Sequence, residues 1–333
     1  MAHHQSDTLS ALPNQGALSG DKPKSRRSLA WGIFALALAC LLLAPLWVYP
    51  ILVLKLLCFA LFAAAFNLLL GYTGLLSFGH AAFFGGAAYA TAHAMKVWQL
   101  TPELGLLIGI AAAAATGLFM GIFAIRRQGI YFAMITLALA QMFYFFCLQM
   151  PFTNGEDGIQ GFSRGKLLGL LDLDQTLNFY YFAVAIAIAG FLAIWRVVNS
   201  PFGQILRAIR ENEPRMISLG YSVQRYKLAA FVMSAALTGL AGALKALLFQ
   251  FATLTDVSWQ MSGEVILMTL MGGIGTLVGP VVGAGLLVGL QTFFATTGIP
   301  VTVVLGASFM LCVLLFRRGI VGEVIHLIER KRG

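Results

Sequence analysis

The stretch ALALACLLLAPLW, residues 35–47, carries no charged or strongly polar side chain over more than three helical turns. A helix on the surface of a soluble protein would show polar residues on one face, and a strand of a membrane barrel would alternate polar with apolar. A run that is apolar all round belongs in hydrocarbon, as a helix that satisfies its own backbone hydrogen bonds. It lies within an apolar segment at residues 29–48, and the same pattern recurs after it at 51–70, 78–95, 104–125, 130–150, 178–198 and 228–251. About 20 helical residues cross a hydrocarbon layer about 30 Å thick, so most of these segments are long enough to span alone. Composition agrees: of 333 residues 59% are hydrophobic and 11% charged, with a mean hydropathy of +0.85. Soluble chains carry about 25% charged residues, and no water-facing surface can be built from so few. The fold class expected is all-α, a polytopic integral membrane protein.

Sidedness follows from Lys and Arg, which collect on the cytoplasmic side of membrane proteins. Residues 1–28, polar and ending in Lys22, Lys24, Arg26 and Arg27, read as a disordered cytoplasmic tail. If each span crosses once, the segments holding Arg126 and Arg127, and later Arg196 to Lys227, return to that side. The basic residues Arg317, Arg318, Arg330, Lys331 and Arg332 do the same only if residues 259–297 form a membrane hairpin, turning near GGIGTLVGP, residues 272–280. That gives about ten transmembrane helices with both termini cytoplasmic, and places seventeen of the 22 basic residues inside. The outer side then holds Glu103, Glu156, Asp157, Asp172, Asp174, Asp256 and Glu264. The membrane domain covers residues 29–320, with a cytoplasmic loop at 199–227 and a short cytoplasmic tail at 321–333. The formal charge of +9 is thus an orientation signal rather than a nucleic-acid surface.

Little in the sequence suits covalent chemistry. The nearest approach to a phosphate-binding loop, Gly161-Phe-Ser-Arg-Gly165-Lys166-Leu167, has one residue too few between its glycines and no Ser or Thr for magnesium. Cys40, Cys58, Cys147 and Cys312 lie far apart in apolar runs, without metal-ligand spacing, and read as packing residues. Neither a metal site nor a resident cofactor is expected. Charged residues at membrane depth reduce to Lys55, Lys245 and Glu264, all near outer span ends where Lys can snorkel and Glu can stay wet. A transporter driven by an ion gradient would normally bury a titratable group near the midplane, and no acidic candidate stands there.

Two glycine-rich stretches interrupt the helical pattern, GYTGLLSFGHAAFFGGAAY at 71–89 and LMGGIGTLVGPVVGAGLLVG at 270–289. Glycine lets helices approach closely, and also lets backbone unwind beside a cavity where amides and carbonyls meet a polar solute. Both readings stand. On the second, Ser77 and His80 in the first stretch, Asn67 a helical turn or more upstream of them, and Gly272, Gly273 and Gly275 in the second stretch are candidates for lining a translocation path. His80 alone fits a hydrogen-bonded packing residue better than a proton carrier. The two stretches sit in opposite halves of the chain, as an internal repeat would place them.

The cytoplasmic loop NSPFGQILRAIRENEPRMISLGYSVQRYK, 199–227, is unusually ordered in its pattern. Asn199 or Ser200 can cap a helix whose first turn holds Pro201. Phe202, Ile205, Leu206 and Ile209 form its apolar stripe, while Arg207, Arg210 and Glu211 face water. Pro214 then bends the chain, and Gly220 suits a helix end. Such an element is either a membrane-surface helix or a docking knob for a soluble partner.

The loop SPFGQILRAIRENEPRMISLGYS, with GYTGLLSFGHAAFFGGAAY, the outer TNGEDGI and the later SGEVILMTLMGGIGTLVGPVVGA, resembles the inner-membrane permease subunits of branched-chain amino acid ABC importers, the LivM-like branch. The resemblance covers about residues 29–320, with the motifs in the same order. It implies a subunit without ATPase activity in the bacterial inner membrane, reoriented by alternating access. The implied partners are a homologous permease subunit, two cytoplasmic ATPase subunits that bind the ATP, and a periplasmic substrate-binding protein. It also implies that the element gripped by an ATPase is Arg207 to Gly220, particularly Arg210, Glu211, Asn212 and Glu213, with Pro214 at its bend. Related permeases carry urea, short amides or aromatic amino acids, and the Glu213-Pro214-Arg215 run occurs in urea-type relatives, so the substrate stays open among these.

Overall fold

Proline in its first turn and glycine just beyond its last residue bracket the first long helix, α1 (Pro50–Thr73). Proline costs nothing at a helix start, where its missing N–H would have had no partner. Gly74 adopts φ +74°, closed to most side chains, and its N–H donates to the Leu70 carbonyl at 3.2 Å. This computed structural model describes residues 39, 41–47, 49–167, 169, 171–295, 301–315 and 319–323. The tail expected over 1–28, more than half of the span expected over 29–48, and the C-terminal tail beyond Glu323 lie outside the described residues. The chain divides into two units, Met1–Trp47 and Val48–Gly333. In the first, the described residues include a 3-10 turn at Ala44–Leu46. The remaining elements belong to the second.

They are α2 (His80–Lys96), α3 (Pro102–Ala124), α4 (Ile130–Gln149), α5 (Thr176–Val198), α6 (Pro201–Glu211), α7 (Glu213–Ser218), α8 (Val223–Phe249), α9 (Trp259–Gly272), α10 (Gly279–Phe294) and α11 (Val301–Leu315). Five of these, α1, α3, α4, α5 and α8, are long and apolar enough to cross a membrane. α1 and α8 are buried over most of their length, so being apolar on every face reflects a core position rather than lipid contact. α4 is peripheral and turns Ile130, Tyr131, Met134, Met142, Phe145 and Phe146 outward, as a helix against hydrocarbon should.

Small residues set the helix separations. A Cβ on Gly242 of α8 would stand 2.0 Å from the Phe84 carbonyl of α2, and one on Gly117 of α3 would stand 2.4 Å from the Ala235 side chain of α8. With no hydrophobic force to press helices together in lipid, such close backbone approach is what packs them. The expected hairpin at 259–297 corresponds to α9 and α10. Both are too short to span the hydrocarbon fully upright, at about 21 and 24 Å. They cross so tightly that a Cβ on Gly283 would fall 1.8 Å from the Met268 carbonyl.

The all-α expectation needs one addition. Two-residue strands form in the loop after α4 and just after α8: β1 (Ile159–Gln160) pairs antiparallel with β4 (Phe251–Ala252), and β2 (Lys166–Leu167) with β3 (Leu171–Asp172). Outside a helix, backbone groups at the membrane edge still need partners, and short ladders supply them.

Candidate functional site

Both glycine-rich stretches break the helix in the same way. Gly74 ends α1 and Gly273 ends α9, each with positive φ and each with its N–H on the carbonyl four residues back. Gly275 is again at positive φ, +78°. Asn67, buried on α1, spans the distance between the two halves. Its Oδ1 accepts from the Gly275 N–H at 2.9 Å and its Nδ2 donates to the Thr276 carbonyl at 2.8 Å. Thr276 Oγ1 in turn accepts from the N–H of Gly279, the first residue of α10, at 3.0 Å. A short unwound segment is thus held open by a side-chain amide that satisfies one donor and one acceptor of its backbone.

The α6 element reaches the same place. Arg210, in the last turn of α6, donates through Nη1 to the Gly71 carbonyl of α1, and the same atom lies 3.5 Å from where a Gly275 Cβ would stand. Arg207 lies over the Tyr72 ring at 5.2 Å and donates to the Val198 carbonyl at 3.2 Å. Sequence reading put Asn67, Gly71 and the glycines of 272–275 in two separate motifs and Arg210 in a third. Four residues, Asn67, Gly71, Arg210 and Gly275, meet at one end of α1.

The other candidates fall elsewhere. Ser77 is buried between α1 and α2, where its Oγ accepts from the Gly79 N–H at 3.1 Å. His80 is fully enclosed, with Phe66, Phe83 and Phe231 edge-on to its ring. Its Nε2 is 2.9 Å from Ser234 Oγ. Ser234 gives its single hydrogen to the Ala65 carbonyl, so Nε2 of His80 must be the donor, while Nδ1 is buried with no hydrogen-bond partner among the described residues. Gly272 packs against Gly279, with no room for a Cβ, and serves close helix approach.

The loop 199–227 folds on a small core of its own. Ile209, Met216 and Val223 are buried together, with Ile205, Ala208 and Tyr226 against them. Ser200 caps α6 by accepting from the Gly203 N–H at 3.4 Å, and Asn212 caps α7 by accepting from the Arg215 N–H at 3.1 Å. Glu213 pairs with Lys227 at the base of α8 at 2.6 Å. Of the residues expected in the partner-facing element, Arg207, Arg210, Glu211, Asn212, Pro214 and Gly220 are exposed and Glu213 is half-buried; Asn212 and Glu213 also bond within the element, and Arg210 bonds α1. The outward apolar residues are Ile217, Leu219 and Tyr221. The sequence does contain the signal: Met216 and Ile217 are adjacent and so cannot share a helix face.

At the opposite end of α8, Lys245 departs from the snorkelling expectation. Its ammonium is buried and bonded to Asp256 at 2.6 Å, with the Phe251 ring 4.5 Å away. Asp256 is further held by the Thr253 N–H in a capping box. Arg164 reaches from the loop after α4 to the last carbonyls of α8, Leu247 at 3.0 Å and Leu248 at 2.9 Å, and stacks over Phe179 at 4.2 Å. Burial lowers its pKa, with Asp174 opposing that shift.

Comparison with known proteins places this architecture. The chain is 28% identical over 250 residues to the high-affinity branched-chain amino acid transport system permease protein LivM of Escherichia coli, covering 67% of this chain and 58% of that protein. It is 26% identical over 212 residues to the probable branched-chain amino acid transport permease protein LivM of Methanocaldococcus jannaschii, covering 60% of each. It is 28% identical over 236 residues to the guanosine ABC transporter permease protein NupP of Bacillus subtilis, covering 68% of this chain and 63% of that one. The chain thus aligns with about three-fifths of the length of these relatives. No solved structure gives a significant match. Residues 48–316, containing every helix from α1 to α11, match the model of the branched-chain amino acid transport system / permease component family, and this multi-pass membrane protein belongs to it.

Proposed function

We propose that the chain is the membrane permease subunit of an ATP-driven importer in a bacterial inner membrane, moving branched-chain amino acids by alternating access. It would pair with a homologous permease subunit, two cytoplasmic ATPase subunits and a periplasmic binding protein. The observation that carries this reading is the α6–α7 element. It has its own core, capped helix starts and an internal Glu213–Lys227 pair, yet leaves Ile217, Leu219 and Tyr221 outward on a segment too polar to lie in hydrocarbon. Apolar side chains held rigidly in water mark a docking surface, and a soluble ATPase supplies the partner and the energy. A purine nucleoside cargo is a second reading, supported by the similarity to the guanosine permease protein.

The test is uptake in proteoliposomes holding this chain with its ATPases, permease partner and binding protein. The expected result is leucine uptake that needs ATP and is unaffected by collapsing ion gradients, with Leu219→Asp abolishing co-purification of the ATPases at unchanged membrane insertion. Uptake by this chain alone, driven by a proton or sodium gradient, would sink the reading. Competition by guanosine but not leucine would move the cargo to the nucleoside class.

A further inference from the structure

We propose that Arg210 is a positioning residue that ties α6 to the break between α9 and α10, so that displacement of α6 alters the membrane-depth hairpin directly. The inference rests on the importer reading for its purpose, though its geometry stands apart from that reading. Arg210 leaves the water-facing side of α6 to bond the Gly71 carbonyl, one turn beyond Asn67 on the same helix. Asn67 holds both Gly275 and Thr276. The guanidinium also faces Gly275, where an added Cβ would stand 3.5 Å from Nη1. One cation therefore bonds the end of α1 beside the unwound segment that Asn67 supports. Arg207 fixes the neighbouring turn against Tyr72 and Val198, so α6 moves with this contact rather than sliding under it.

The movable part is the segment 273–278. It is outside any helix, starts with a positive-φ glycine and is kept by two hydrogen bonds from one amide side chain. Such a segment has two distinct states, bonds made or bonds broken, which is what transmission through a packed protein requires. Moving α6 away from α1 withdraws Arg210 from Gly71 and Gly275 together. The two bonds from Asn67 to the segment, no longer braced by the guanidinium on Gly71, then open more often.

Hydrogen exchange on the isolated wild-type chain, in detergent and without partners, measures the tie itself. Arg210→Gln should speed exchange of the amides at 273–278 about tenfold, the scale of a lost charge-assisted hydrogen bond. Arg210→Lys, which keeps one donor, should fall between, and Glu211→Gln, on the exposed neighbour, should leave exchange at the wild-type rate. Equal exchange in Arg210→Gln and wild type overturns the tie. In the assembled transporter, with solute counted per ATP hydrolysed so that any change in ATPase docking cancels, Arg210→Gln should move several-fold less solute per ATP. An unchanged ratio of solute to ATP, with exchange raised, overturns the transmitting role. A wild-type assembly that transports nothing strikes the importer reading instead, and the exchange result still decides whether Arg210 holds the break.

Discussion

Lys245 and Asp256 place two opposite charges out of water, 2.6 Å apart, with side chains 7% and 4% exposed. Desolvating both ions costs several kcal/mol apiece, and only their mutual attraction and the Thr253 capping contacts offset it. Removing one partner strands the other. Lys245→Met should therefore cost about 3–5 kcal/mol, lowering the thermal unfolding midpoint of the detergent-solubilised chain. Lys245→Met with Asp256→Asn, which leaves no buried charge, should recover more than half of that loss. Equal midpoints for the single and double variants would show that the two groups do not act as a pair. In the sequence alone this contact is hidden, because both residues sit near the end of an apolar span where solvation by water at the interface explains them as well. What separates the two accounts is the return of the chain at Phe251, which carries Asp256 back over α8, and no local pattern encodes that return.

The helices themselves were far more legible, because length and hydropathy decide them locally and tertiary contacts only trim the ends: α5 was expected from residue 178 and begins at Thr176. Which glycine packs and which merely fills space was not legible, since that depends on a partner helix distant in sequence. Gly242 faces the Phe84 backbone at a separation that excludes a methyl group, whereas a Cβ on Gly263 of α9 would meet nothing within 4 Å. Gly242→Ala should force α2 and α8 apart and cost about 1–3 kcal/mol or more. Gly263→Ala should be neutral or stabilise by up to about 1 kcal/mol, through the lower entropy cost of fixing alanine in a helix. Unfolding midpoints of the two variants, measured side by side, check both signs. The same logic applies to the outer loop, whose tie to α8 rests on Arg164. Losing its two carbonyl contacts, about 1.5–3 kcal/mol for bonds to a charged group, should make the Arg164→Ala loop at residues 151–174 at least about tenfold more sensitive to protease, with the membrane core still resistant. Unaltered cleavage would mean that the β1–β4 pairing alone holds the loop.

At the scale of the molecule, the polar contacts gather at two ends joined by α8, whose 27 residues run about 40 Å. One end holds α6, α7, the termination of α1 and the segment 273–278. The other holds Lys245, Asp256, Arg164 and the β1–β4 pairing. Asn67 brings the 273–278 segment to the α6 end, so the α9–α10 turn and the cytoplasmic loop must share a side whichever side that is. The loop 151–174 is separated from α6 by α5 alone, a single 23-residue helix long enough to cross, and so must take the other. On the rule that Lys and Arg collect inside, the basic residues of 196–227 lead one to expect the first end in the cytoplasm. These arguments fix a parity that labelling can read. In a chain with Cys40, Cys58, Cys147 and Cys312 replaced by serine or alanine, single cysteines at exposed Leu219, Val278 and Leu171 report the three places. A membrane-impermeant maleimide added to intact cells with a permeable outer envelope should label Leu171→Cys alone, and Leu219→Cys and Val278→Cys only once the inner membrane is opened. Labelling of Leu219→Cys from outside would reverse the orientation. Labelling of Leu219→Cys and Leu171→Cys from one side would mean that α5 does not cross, and an ATPase gripping α7 could not then drive a path opening toward the outer loop.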